Sequence, residues 1–148
     1  MKGKNIIIFG ATGGIGSEIA KKAGEQQANL ILVARNTEKL QNLTTNLQNI
    51  TNVSFFSVDI TKLNELNKFT KEIKNKFDKI DIIVNAVGNI ILKPIHSLSE
   101  EDFIDTISIN LISAFFILKS FLPIIRKQKK GSFIFISSRY GLALATLC

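Results

Sequence analysis

Residues 10–16 read Gly-Ala-Thr-Gly-Gly-Ile-Gly and lie between an apolar run, Asn5–Phe9, and an amphipathic stretch, Ile15–Glu25. A chain that leaves a strand here and enters a helix presents the unpaired amides and the positive dipole end of that helix's first turn. Such a terminus binds anions, and after the first strand of an α/β sheet the fitting anion is a dinucleotide's diphosphate. Gly10 lets the chain turn sharply, and Gly14 and Gly16 let backbone and helix come close to the ligand. Thr12, Gly13 and Ile15 complete the candidate cofactor loop. The spacing fits both G-x-x-x-G-x-G (Gly10, Gly14, Gly16) and G-x-x-G-x-x-G (Gly10, Gly13, Gly16). It is not a Walker loop, because no Lys-Ser/Thr pair follows. The alternative is a tight strand–helix turn with no ligand.

A second group of residues bears on which dinucleotide is held. The next apolar run ends Val33-Ala34-Arg35-Asn36, with no acid before Glu38. An acid at this point accepts hydrogen bonds from ribose hydroxyls, whereas a cation accommodates a 2′-phosphate. Arg35, with Asn36 beside it, can pair with that phosphate bidentately, which favours NADP(H) over NAD(H). The alternative is an ordinary surface charge. The single histidine, His96, has neither a serine–aspartate arrangement nor metal-ligand spacing around it, so no metal site is predicted.

These residues must be positioned by alternating elements. Apolar strands are predicted at 5–9, 30–34, 53–58, 80–84 and 132–136. Helices are predicted from Ile15, from a cap at Asn36 or Thr37 with the stripe Leu40, Leu43, Leu47 and Ile50, over Leu63–Phe77, and from the Ser99-Glu100-Glu101-Asp102 cap to about Arg126. Wholly apolar strands alternating with helices predict an α/β, doubly wound, Rossmann-type parallel sheet of about five strands, ordered 3-2-1-4-5, in one domain over 1–148.

Composition bounds the function class. The chain is 45% hydrophobic, carries a net charge of +7 and has one cysteine, Cys148. That excludes an internal disulfide framework and fits a cytoplasmic, reducing setting. The lysines are scattered, and the one dense basic run (Arg126, Lys127, Lys129, Lys130) follows a helix, where cations suit the dipole. No nucleic-acid partner is predicted. The apolar tract Leu111–Ile125 is interrupted and too short to span a bilayer, so no membrane partner is predicted either.

Taken together, the glycine loop 10–16, Asp59-Ile60, Asn85-Ala86-Val87-Gly88, Asn110 and Ser137-Ser138 resemble the short-chain dehydrogenase/reductase family along essentially the whole chain. The resemblance implies hydride transfer between a nicotinamide and a small-molecule carbonyl or alcohol. It implies that Asp59 and Ile60 flank the adenine, that Asn85 ties the fourth strand to the cofactor loop containing Ala86 and Gly88, that Asn110 holds a water in a proton relay, and that Ser138 bonds the substrate oxygen. Read without the resemblance, Asp59 can cap a helix, Asn85 can close a turn, and Asn110 can be a satisfied polar group. Two residues depart from the family pattern: Phe9 replaces a threonine, and Ala86 replaces the second asparagine of Asn-Asn-Ala-Gly. The G-x-x-G-x-x-G spacing leaves an extended or atypical branch open.

The family's acid–base pair is Tyr-x-x-x-Lys, expected about thirteen residues past Ser138, near position 151. The only tyrosine, Tyr140, is followed at the fourth position by Leu144. The expectation is a cofactor-binding fragment truncated after strand five, itself inactive. The alternatives are a non-catalytic dinucleotide-binding module or an inactive truncated product. Helix 99–126, crowded with apolar residues, is expected to carry a homo-oligomer contact in the full-length form. With strand five at an open edge, the chain alone is expected to be sticky or unstable.

Overall fold

Apolar residues dominate every strand of the computed structural model, which describes residues 1–137. They form β1 (Asn5–Phe9), β2 (Asn29–Ala34), β3 (Val53–Ser57), β4 (Ile82–Asn85) and β5 (Ser132–Phe135). The sheet is parallel throughout and ordered β3-β2-β1-β4-β5, as predicted. Strand order reverses between β1 and β4, so the crevice of a doubly wound sheet opens above β1, at the strands' C-terminal ends.

Side chains alternate across the pleat and build two cores. Ile6 and Ile8 of β1 face helices α1 (Gly14–Glu25) and α2 (Thr37–Leu47), where Ala20, Leu40 and Leu43 cover them. Ile7 and Phe9 face α3 (Leu63–Lys76) and α5 (Ser113–Gln128). Phe9, Phe69 and Phe121 meet there with ring centroids 5.9 Å apart in each pair. Phe9, a departure from the family pattern, is thus a fully buried core residue.

Local chemistry sets the helix ends. Asn36 caps α2 by accepting from the Lys39 amide at 2.8 Å. Ser99 and Asp102 form a reciprocal capping box that opens α4 (Glu100–Ile107). The long helix predicted from Ser99 forms, but a π turn, Ser108–Ile112, separates α4 from α5 within it. Two details differ from expectation. Ile50 lies past the end of α2 and is exposed rather than part of its buried stripe. Strand β4 starts at Ile82 rather than Ile80. Instead of a neighbouring strand, the carboxamide of Gln128 serves Ile80: its Oε1 accepts from the Ile80 amide at 3.0 Å and its Nε2 donates to the Ile80 carbonyl at 2.9 Å.

The continuous helix Glu100–Gln128 is 29 residues long and, by length and composition, apolar enough to cross a membrane, which the interrupted tract read from sequence was not. One of its faces is core: Ser113, Ile117, Phe121 and Ile125 are buried. Phe103, Leu111 and Phe115 are more than half exposed. On the edge strand β5 and just past it, Ile134, Phe135 and Ile136 are also exposed.

Candidate functional site

Gly10 leaves β1 with φ +74°, and its backbone runs against the loop after β4: a Cβ placed there would lie 2.9 Å from the Ala86 carbonyl carbon. Gly16 supports the same turn from behind. A Cβ on Gly16 would lie 2.2 Å from the Gly10 carbonyl oxygen, so helix α1 packs on the turn only because no side chain intervenes. Gly14 differs, since nothing lies within 4 Å of its Cβ position. The N-cap of α1, Gly13, provides no side-chain cap, and the first turn contains no acid. Amide donors and dipole at this helix end therefore face open space, the geometry an anion needs. Ile15, a large apolar residue at the same end, is 58% exposed.

A cleft of about 310 Å³ opens over the C-terminal ends of β1 to β4. Its centre is Gly10, Thr12 and Gly13. Toward β2 and β3 it is bounded by Arg35, Asn36, Lys39 and Asp59–Thr61, and toward β4 by Ala86–Gly88 and Ile109. Nine of the sequence-predicted cofactor residues thus line one cleft: Gly10, Thr12, Gly13, Arg35, Asn36, Asp59, Ile60, Ala86 and Gly88. Gly14 and Ile15 lie on its α1 side, while Gly16 and Asn85 are buried beneath it.

The polar residues also have local partners. Asp59 Oδ1 accepts from the Thr61 amide (3.0 Å) and hydroxyl (2.7 Å). Partial burial pushes its carboxyl up, but those two bonds, Lys62 and Arg35 outweigh it and hold the carboxyl below the usual range. Asn36 is both the cap of α2 and a cleft residue. Buried Asn85 accepts from the Val87 amide at 3.1 Å and so shapes the β4 loop. Asn110 lies in the π turn. Its Nδ2 donates to the Asn89 carbonyl (3.0 Å) and to Asn89 Oδ1 (2.8 Å), and its Oδ1 accepts from the Asn89 amide (3.0 Å). Both hydrogens of that carboxamide are spent on the loop. Ser138 lies outside the described residues.

Sequence reading missed Lys39, Thr61, Val87 and Ile109 on the cleft wall, and Asn89 behind it. Lys39 left a visible signal, a second cation four residues after Arg35 in the first turn of α2. Ile109 left none, because only the π turn brings it to the cleft. Among the described residues, no group of three or more His, Cys, Asp or Glu could hold a metal ion.

The profile of the short chain dehydrogenase family matches residues 4–146. An uncharacterized oxidoreductase of Staphylococcus epidermidis is 31% identical over 95% of this chain and 60% of its own length. A fatty acyl-CoA reductase of Acinetobacter baylyi is 34% identical over 99% of this chain and 50% of its own. The chain therefore spans 50–60% of the length of these two relatives. Among solved structures, an alcohol dehydrogenase from the archaeon Thermococcus sibiricus, complexed with 5-hydroxy-NADP, superposes with a TM-score of 0.89 at 29% identity. That match covers 97% of this chain and 61% of the archaeal one.

Proposed function

The chain belongs to the short-chain dehydrogenase family, and from that premise we propose that it is the cofactor-binding part of an NADP(H)-dependent oxidoreductase acting on a carbonyl or alcohol. The carrying observation is the uncapped, acid-free start of α1 facing open space beside Gly14, at the switch point of the sheet. The residues present fit a dinucleotide. Amides of Gly14–Gly16 would hold its diphosphate, the Gly13 amide being bonded to the Gly10 carbonyl at 3.0 Å. Arg35, joined by Lys39, would take a 2′-phosphate. Asp59 and Ile60 would border the adenine, and Ala86–Gly88 would border the other half. When bound, the nicotinamide supplies hydride transfer to or from a carbonyl carbon. The archaeal neighbour carries an NADP derivative, which supports the same cofactor here.

The remaining roles belong to the same proposal. Ser138 would bond the substrate oxygen, and Asn110 would hold a water in a proton relay. No Tyr-x-x-x-Lys pair occurs in the 148 residues, so the chain by itself is expected to bind dinucleotide without reducing a carbonyl. The second reading is a dinucleotide-binding module with no catalysis. The exposed face of Glu100–Gln128 would carry a second copy. Its first turn is acidic (Glu100, Glu101, Asp102) and its last turn basic (Arg126, Lys127), so an antiparallel pairing would match opposite charges. A cytoplasmic location, with neither membrane nor nucleic-acid partner, completes the proposal.

Thermal unfolding tests the binding. NADPH at one hundred times its dissociation constant should stabilise the fold by about 2.7 kcal/mol, and NADH at the same concentration should stabilise it less. Indifference to both nucleotides would refute the reading. Ketone reduction by a longer chain carrying Tyr-x-x-x-Lys would separate the enzyme from the binding module.

A further inference from the structure

Asn110 and Asn89 each follow a residue that lines the cleft. Gly88, in the loop after β4, and Ile109, in the π turn, both line its β4 end. Asn89 follows Gly88 and Asn110 follows Ile109, and three hydrogen bonds of 2.8–3.0 Å join the two asparagines. Two of them involve the backbone of Asn89 and would survive most substitutions there. The third, from Asn110 Nδ2 to Asn89 Oδ1, depends on the Asn89 side chain. The fit is tight, since a Cβ on Gly88 would lie 3.1 Å from Asn110 Oδ1. The π turn is the one place where the helix Glu100–Gln128 departs from α geometry, and it puts this residue pair in register.

Sheet order says which part of a ligand these walls meet. The diphosphate belongs at the start of α1, above β1, and the adenosine ribose belongs at the end of β2. The other half of a dinucleotide would then lie toward the β4 side, where Gly88 and Ile109 line the cleft. We propose that Asn89 is a positioning residue: by gripping Asn110 it sets the separation of these two walls, and so the affinity for the nicotinamide half of the cofactor. The proposal rests on the dinucleotide reading above, but the grip itself can be tested without any ligand.

Asn89→Leu removes the Oδ1 acceptor at similar size, and Asn89→Asp keeps it. Hydrogen exchange on the ligand-free chain should show amides 86–90 exchanging several-fold faster in Asn89→Leu, with β1 and β2 unchanged and Asn89→Asp close to the parent. In calorimetry, Asn89→Leu should weaken NADPH about tenfold and leave adenosine 2′,5′-bisphosphate, which lacks the nicotinamide half, unaffected. Asn89→Asp should restore most of the NADPH affinity. Unchanged exchange in Asn89→Leu would overturn the grip. Equal weakening of both ligands, or no rescue by aspartate, would overturn the positioning role. If the parent chain binds neither ligand, the cofactor reading fails and takes the positioning role with it, while the exchange result still decides the grip.

Discussion

The two ends of the sheet are built from similar residue types and do opposite things with them. At the N-terminal end, polar side chains consume one another. Asn52 donates to Asn29 (3.1 Å), Asn29 to Asn5 (2.9 Å), and Asn5 to the Lys79 carbonyl (2.7 Å), a chain that laces β3, β2 and β1 to the segment before β4. Asp81 closes the row: it accepts from the Asn5 amide and Lys4 and pairs with Lys79 at 2.7 Å. At the C-terminal end the amides of α1 have no side-chain cap, Arg35 is exposed, and a cleft stands open. A closed circuit of hydrogen bonds is structure, whereas an open one is capacity for a ligand. Asn and Asp side chains find partners at both ends, and what sets the C-terminal end apart is the uncapped start of α1 and the exposed Arg35.

Gly16→Ala should have the largest effect, because a methyl group 2.2 Å from the Gly10 carbonyl oxygen must displace α1 from the turn. Denaturant unfolding should show a loss of about 3 kcal/mol, with dinucleotide binding lost as well. This variant blurs the contrast between the two ends, since a turn that serves the ligand is also a packing contact. Arg35→Ala should restore the contrast. NADPH affinity should fall by about 2 kcal/mol, roughly thirtyfold, while NADH affinity and the unfolding midpoint stay put. Equal losses for both nucleotides would sink the assignment of Arg35 to a 2′-phosphate.

Asp81→Asn should give the converse result, a stability loss of about 1.5 kcal/mol at neutral pH with NADPH binding intact. Its pH dependence has a definite sign. Burial pushes the Asp81 carboxyl up, but the hydrogen bonds from Lys79, the Asn5 amide and Lys4 outweigh it, and the native pKa is depressed. The stabilisation is therefore fully present above the unfolded value of about 3.9 and is lost as pH falls through the native one. The gap between parent and variant in urea melts should close below about pH 4. The smallest effect expected is on the stability of Gly14→Ala. Its Cβ meets nothing, and alanine is the better helix former, so the fold should change by less than about 0.5 kcal/mol while NADPH binding weakens. A well-folded Gly14→Ala chain with undiminished binding would mean that the open space beside α1 holds no diphosphate.

Much of this was legible in the residues alone. Wholly apolar strands alternating with amphipathic helices point to a parallel sheet covered on both faces, and right-handed crossovers make it a doubly wound one. The glycine loop was equally readable, since backbone conformation and close approach are local matters that glycine alone satisfies. Boundaries were less readable where a side chain replaced the ladder, as Gln128 does for Ile80.

Tertiary structure alone decided how the candidate site is divided between its walls. Asn89 and Asn110 are twenty-one residues apart, and nothing in their spacing pairs them. Asn110 lies in the π turn Ser108–Ile112, directly before α5, which packs on the sheet through Ile117 and Phe121. Ile109 of the same turn lines the cleft, and Gly14 and Gly16, two residues apart in one motif, divide into an open side and a packing side only once α1 is docked. Local sequence determines which conformations each segment can take. Which of its groups remain unspent is a property of the neighbours that long-range packing brings, and that is where the capacity to bind resides.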